Sequence, residues 1–290
     1  GIRDVERSRG SEMCIRDRYN VTLSDVTEDA LKKGQSLISK SLARIAKKKM
    51  ADKSEEEKQA YIQSVIDSIK VTTDAAEAVS STDVVIEAII ENLKIKKELF
   101  SFLDSKAPKD AIFTSNTSSL NVKDIAAATE RLSRFAGFHA FNPVPQMKLV
   151  EVVRTNETSD ETHATLMEVA KRMGKVPVTC IDSPGFIVNR LLVPYQVEAI
   201  RLVERGVASP RDVDTAMKLG AGYPMGPFEL ADLVGLDTIE HIMQGWRETC
   251  AGTEHMPADY VAESPMLTNL VKEGRLGRKT PDKGGFYQYD

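Results

Sequence analysis

The sequence predicts an α/β protein, with a doubly wound sheet in its N-terminal part and helices alone in its C-terminal part. Three observations carry this expectation. Short apolar runs alternate with amphipathic stretches from Asn20 to Ile181, the texture changes at Asp182, and beyond it only helical periodicity and helix-start signals remain. Alternating strands and helices imply a parallel sheet, because a parallel pair needs a long crossover and a helix usually supplies it.

NVTLSDV reads as a short strand ending in Asp25. A helical stretch then places Leu31, Ile38, Leu42, Ile45 and Ala46 at spacings near three and four. The polar break ADKSEEE separates it from a second helix with Tyr61, Ile62, Val65, Ile66 and Ile69 on one face. DVVIEAI is a continuous apolar strand of the kind buried on both sides. NLKIKKELFSFLDSKA reads as an amphipathic helix and AIFTSN as the next strand. RFAGFHAF, KLVEVV and KVPVTCI are further strands, with helices near 122–128 and 159–173. DSPGF is a helix-start signal, with Asp182 or Ser183 as N-cap and Pro184 in the first turn, and this helix stops near Gly206. Another has Ser209 as cap, Pro210 at its first position and Gly220 just past its end.

Composition narrows the function classes. The chain has 290 residues, 41% of them hydrophobic and 28% charged, which suits two ordinary globular domains. Its net charge of −4 excludes the strongly basic footprint of a nucleic-acid-binding domain, though local lysines can still meet an anionic small molecule. Cys14, Cys180 and Cys250 are too scattered for a disulfide framework or a CxxC pair, which points to a reducing compartment. No metal-ligand spacing links the four histidines, and no apolar run has transmembrane length. The opening eighteen residues, GIRDVERSRGSEMCIRDR, differ in character from the rest of the chain. They hold five arginines and no apolar period, their acidic residues argue against a transit peptide, and SEMCIRDR resembles translated adaptor read-through. Residues 1–18 are therefore expected to be foreign to the protein.

His139 ends an apolar strand, and ligands of open α/β sheets bind at the carboxyl edge. Glu151 interrupts the run LVEVV, where a buried carboxylate is costly unless paired, and His139 is the nearest candidate partner. Neighbouring strands joined by NPVPQMK could bring the two together. A carboxylate on one imidazole nitrogen fixes the tautomer and makes the other nitrogen more basic, as removal of a proton from an alcohol requires. On spacing alone, His139 capping a strand and Glu151 facing solvent at an edge is the better reading. SNTSSL, at 115–120, follows a strand, and its short polar side chains suit a substrate oxygen or a ribose as well as an ordinary turn and helix cap. Asn189 sits one turn into the apolar FIVNRLL, where a buried amide demands partners or is simply a satisfied core asparagine. Asp25 stands where a Rossmann unit places its ribose-binding acid, which favours NAD over NADP. However, the G-x-G-x-x-G turn that should precede it is absent, since only Gly1 and Gly10 come before Asp25. On motif alone Asp25 is a capping aspartate.

Taken together, SDVTED, VVIEAIIENLKIKKELF, SNTSSL, RFAGFHAFNPVPQMKLVEVV, DSPGFIVNRLLVPY, KLGAGYPMGPFELADLVGLD and GRKTPDKGGFY carry a family resemblance. From about Tyr19 to Asp290 the chain resembles the short-chain L-3-hydroxyacyl-CoA dehydrogenase family, close to its animal mitochondrial members. The resemblance implies a Rossmann-like NAD-binding domain with a helical arm over 19–182, and an all-α domain for substrate and dimerisation over 183–290. It implies reversible oxidation of L-3-hydroxyacyl-CoA to 3-ketoacyl-CoA in fatty-acid β-oxidation, by a homodimer that uses NAD and no metal. The mitochondrial matrix is the implied location, or the cytoplasm for a bacterial source. It makes His139 the catalytic base and Glu151 the carboxylate that orients it. Ser118 then touches nicotinamide and substrate, Asn189 lies near the thioester, and Asp25 binds the ribose. Glu91, Lys96, Asn142 and Lys279 become further NAD contacts, and Ser41 and Lys48 meet coenzyme A. Two alternatives stand beside it: a 3-hydroxybutyryl-CoA dehydrogenase of bacterial type, and an inactive crystallin-like relative that keeps the fold. One departure accompanies the match. Family members begin with a strand and a glycine-rich turn, which residues 1–18 replace, so the chain with this N-terminus is expected to bind NAD poorly or to fold poorly, while the intact parent is active.

Overall fold

A computed structural model describes residues 19–289. The expectations for residues 1–18, the foreign segment and the missing first strand and glycine turn, lie outside the described residues. Two compact units divide the chain, 1–182 and 183–290.

In the first unit, β1 (Val21–Ser24) pairs in parallel with β2 (Ile69–Thr72), from Val21 opposite Ile69 to Ser24 opposite Thr72. Two helices join them, α1 (Glu28–Lys49) and α2 (Glu55–Asp67). The Thr27 hydroxyl caps α1, Glu28 and Asp29 lie at its positive end and Lys47, Lys48 and Lys49 at its negative end, so charge and dipole agree. Leu31, Ile38, Leu42 and Ala46 form its buried stripe, and Ile38, Leu42 and Ala46 pack with Ile62 and Ile69. The polar ADKSEEE is less of a break than expected, because Ser54 and Glu57 form a capping box and the first turn of α2 begins at Glu55. Ile69 does not continue the face of α2. It opens β2, a strand hidden in the sequence because its four residues carry on the helical spacing of Ile62 and Val65. The short α3 (Ala75–Val79), capped by the Asp74 carboxylate, is equally silent in the sequence.

The other strands are β3 (Val84–Glu87), β4 (Ile112–Ser115), β5 (Phe135–Ala140), β6 (Leu149–Arg154) and β7 (Val176–Ile181), which form one sheet in that order. All neighbours are parallel except β5 and β6, whose connection is too short for a crossover and makes them antiparallel. The helices are α4 (Leu93–Asp104), α5 (Val122–Ala126) and α6 (Asp160–Arg172). Ile112, Phe138, Val150 and Val152 pack with Leu166 and Ala170 of α6, while Phe100 of α4 meets the Phe135 ring edge-on at 4.8 Å. Gly137 admits no side chain, since a Cβ there would lie 2.8 Å from Cβ of Val153, its partner across the strands.

Asp182 does not cap the helix that comes after it, contrary to expectation. Its carboxylate instead accepts from the backbone N–H groups of Val122 (3.0 Å) and Lys123 (2.8 Å) and caps α5, for which Asn121 supplies no side-chain bond. Burial raises its pKa against the pull of these donors. Asp182→Ala should therefore cost about 1 kcal/mol, the usual worth of a helix cap. Chemical denaturation would show this as a lower midpoint with an unchanged slope.

In the second unit the helices are α7 (Val188–Glu204), α8 (Pro210–Gly220), α9 (Pro227–Val234), α10 (Leu236–Thr249) and α11 (Pro265–Lys272). The first starts at Val188 and not at Ser183, because Gly185 (φ 77°) and Phe186 (φ 51°) take left-handed conformations that no α-helix includes. Gly220 is the last residue of α8, not the first beyond it. Val197, Ile200, Phe228, Leu236, Ile239, Met243 and Trp246 form the core. Two buried carboxylates tie it together. Asp214 accepts from the N–H groups of Phe228 and Glu229 and from the Tyr287 hydroxyl, and Asp232 from the N–H groups of Phe286 and Tyr287 and the Tyr289 hydroxyl.

Among the described residues no helix is long and apolar enough to cross a membrane, and no cluster of His, Cys, Asp and Glu could hold a metal ion.

Candidate active site

Three strands of the first unit end side by side, at Glu87 (β3), Ser115 (β4) and Ala140 (β5). In an open α/β sheet this carboxyl edge is where a ligand binds. His139 stands at the end of β5 and Glu151 near the start of β6, directly opposite each other in the antiparallel register. Residues so opposed point to the same face of the sheet, so the ladder itself brings the side chains together. Nδ1 of His139 lies 2.7 Å from Oε2 of Glu151. The imidazole is 5% exposed and the carboxylate fully enclosed, on a strand flanked by β5 and β7. The solvent-facing alternative for Glu151 is thereby excluded. A carboxylate at Nδ1 stabilises the tautomer protonated there and places the lone pair on Nε2.

Beside this pair lies a second network, built on acidic residues. Glu87, at the end of β3, accepts from the Ser115 hydroxyl (2.6 Å) and from the ammonium of Lys96 (2.7 Å). The same ammonium is 3.3 Å from Glu91, and Lys96 is 1% exposed. Oε1 of Glu91 gathers the loop after β4. It accepts from the Thr117 hydroxyl (2.6 Å), the N–H groups of Ser118 (3.0 Å) and Ser119 (3.1 Å), and the Ser119 hydroxyl (3.0 Å). Asn116 links the two halves, because its side-chain oxygen accepts from the N–H of Ala140, next to His139, at 2.8 Å. The loop bearing Ser118 is thus fixed to the strand bearing the histidine.

Burial works to raise the pKa of Glu91, but Lys96 and the donors from Thr117, Ser118 and Ser119 outweigh it and hold the carboxyl below its ordinary 4.5. Stability from the ionised form is therefore complete above pH 4.5 and is lost as the pH falls through the lowered folded value. Glu91→Gln should accordingly flatten the acid limb of the stability–pH curve below pH 4.5, which denaturant melts across the acid range would detect. Cys180 is no nucleophile, since burial, with Glu151 and Asp182 adding to it, pushes its thiol up to about 12.

Other elements and loops carry the remaining expected site residues. Asp25 follows β1, half-buried, and its carboxylate accepts from the Val26 N–H (2.7 Å). Asn142 is exposed just beyond β5. Ser41 and Lys48 lie on α1, the first half-buried and the second exposed. In the second unit, Asn189 is the second residue of α7 and half-buried, not a full turn inside the helix. There too the Lys279 ammonium donates to Asp237 (2.7 Å) and Thr238 (2.6 Å). Sequence reasoning alone misses Glu87, and it flags Asn116 only as part of SNTSSL, without its partner. Glu87 is within its reach, because it breaks the apolar run DVVIEAI as Glu151 breaks LVEVV.

A doubly wound unit with a histidine–carboxylate pair at its carboxyl edge, followed by a helical unit, is the architecture of a Rossmann-type oxidoreductase. Residues 8–183 match the family described as 3-hydroxyacyl-CoA dehydrogenase, NAD binding domain, and residues 185–289 match the 3-hydroxyacyl-CoA dehydrogenase C-terminal domain. The chain belongs to the 3-hydroxyacyl-CoA dehydrogenase family, whose members depend on NAD.

It is 54% identical over 274 residues to the mitochondrial hydroxyacyl-coenzyme A dehydrogenase of Homo sapiens, a match covering 93% of this chain and 84% of the relative. It is 39% identical over 280 residues to a probable 3-hydroxybutyryl-CoA dehydrogenase of Deinococcus radiodurans, covering 96% and 95%. Among solved structures, the (S)-3-hydroxybutyryl-CoA dehydrogenase of Ralstonia eutropha superposes with a TM-score of 0.88 at 37% identity, over 99% of this chain and 96% of that one.

Proposed function

We propose that the chain interconverts L-3-hydroxyacyl-CoA and 3-ketoacyl-CoA, with His139 as general base and Glu151 as its orienting carboxylate. The buried 2.7 Å contact between the two side chains, at the carboxyl edge of the sheet, carries this reading. Nε2 of His139 takes the proton of the 3-hydroxyl as its carbon loses hydride and the C–O bond becomes a carbonyl. Glu151 stabilises the imidazolium so formed. Ser118 positions the hydroxyl oxygen and Asn189 the thioester oxygen. NAD, when bound, supplies the hydride acceptor. The lining suits it, with an acid after β1 for ribose hydroxyls and, after β4, a loop whose backbone Glu91 holds in one conformation. Asp25 favours NAD over NADP, and Glu91, Asn142 and Lys279 complete the cofactor site. Lys96, being buried, contributes through Glu91. Ser41 and Lys48 on α1 face coenzyme A.

The proposal extends to work in the mitochondrial matrix, in fatty-acid β-oxidation, as a homodimer paired through the helices of 183–290; the mitochondrial name of the human relative supports the location. A 3-hydroxybutyryl-CoA dehydrogenase is the second reading, favoured by the structural likeness to the Ralstonia eutropha enzyme. Loss of NADH absorbance with acetoacetyl-CoA, and with a longer 3-ketoacyl-CoA, tests both. Turnover of both substrates supports the first reading, and turnover of the four-carbon substrate alone supports the second. Binding of NADH without any turnover would instead indicate an inactive relative. Repeating the assay with residues 1–18 replaced by the matching segment of the human relative tests the expectation that this segment weakens NAD binding.

A further inference from the structure

One buried charge has no part in the proposed chemistry. Lys175 stands between α6 and β7, 5% exposed, and its ammonium donates to the main-chain carbonyls of Val144 and Met147. These carbonyls belong to the turn 141–148, which joins the strand of His139 to the strand of Glu151. The backbone of Lys175 is itself fixed, since its N–H donates to Ala170 at the end of α6 and the next N–H, of Val176, donates to Lys148. Within the turn, the N–H groups of Gln146 and Met147 both donate to the Pro143 carbonyl, and Val144 is buried against the core that includes Phe138 and Val150. A buried ammonium is costly unless hydrogen-bonded, and each carbonyl left without its donor in the interior is costly too. Lys175 and the turn therefore hold one geometry together.

We propose that Lys175 is a positioning residue for cofactor binding, acting through the turn it clamps. The register of His139 and Glu151 does not depend on it. That pair lies inside a ladder running from Gly137 opposite Val153 to Ala140 opposite Val150, with β7 supporting β6 from the other side. Asn142 lies beyond the last rung of that ladder, within the turn, so the turn and not the ladder sets the course of its backbone. This inference rests on the reading of Asn142 as a cofactor contact.

Lys175→Met is therefore expected to raise KM for NADH about tenfold, the worth of one misplaced hydrogen bond, with kcat within about a factor of three of the parent. Lys175→Arg, which keeps a cationic donor on a long stem, should recover part of that loss. In an Asn142→Ala background Lys175→Met should add no further rise. An unchanged KM for NADH in folded Lys175→Met overturns the inference, and so does a rise in KM that simply multiplies with that of Asn142→Ala. Should Lys175→Met not fold, Lys175→Gln, which can still donate to one carbonyl, is judged by the same criteria. Fluorescence titration of NADH separates this result from failure of the underlying reading, in which Asn142→Ala binds NADH as tightly as the parent.

Discussion

His139→Gln is expected to bind NADH with nearly parental affinity while its turnover of acetoacetyl-CoA falls about 100- to 10,000-fold, the range in which a positioned general acid or base contributes. Glutamine is close in volume and can still donate to Glu151, so the buried carboxylate keeps a partner and the hairpin of β5 and β6 keeps its register. What the variant loses is a nitrogen able to accept and return a proton. Steady-state kinetics alongside NADH fluorescence titration measures both quantities. Turnover within a few-fold of the parent removes His139 from the chemistry. Parallel loss of NADH affinity instead shows that the side chain holds the cofactor site together.

The second large effect lies in the acidic network. Lys96→Met should destabilise the first unit by about 3–5 kcal/mol, the usual consequence of removing one partner from a buried ion pair. The reason is specific. Lys96 is 1% exposed, the Glu87 side chain is fully enclosed, and Glu91 loses the cation that most favours its ionised form. Adding Glu87→Gln should restore part of the loss, because a neutral amide no longer leaves an uncompensated charge inside. Denaturant melts of the single and double variants test this, and equal stability of Lys96→Met and the parent would show that the pair carries no structural weight.

How much of this is legible in the sequence depends on whether a residue's type clashes with its surroundings. Glu151 is readable because a carboxylate inside LVEVV demands a partner, and the register of an antiparallel pair can supply one. Glu87 sends the same signal from DVVIEAI, but its counter-ion hides among the lysines of KIKK, which read as a solvated face. Its spacing holds the clue. Lys96 precedes the buried Phe100 by one helical turn and the buried Leu103 by two, so it lies on the inner face of α4. Ile69 misleads for the opposite reason, since four residues of strand cannot show a period of their own when they prolong a helical one. Asp182 looks like a local cap and is a distant one, because the left-handed Gly185 and Phe186 delay α7 and free its carboxylate to reach α5. Asn116 is legible only as one polar residue of SNTSSL, and its partner is not legible at all. Its bond to Ala140 exists only because β4 and β5 lie side by side.

The central claim is that the imidazole of His139 and the carboxylate of Glu151 work as one catalytic unit, and a double-mutant cycle on kcat tests it most directly. For such a unit, His139→Gln with Glu151→Gln should be about as slow as His139→Gln alone, because Glu151 has nothing to orient once the imidazole is gone. Losses that multiply in the double variant, or a Glu151→Gln enzyme as fast as the parent, would contradict it.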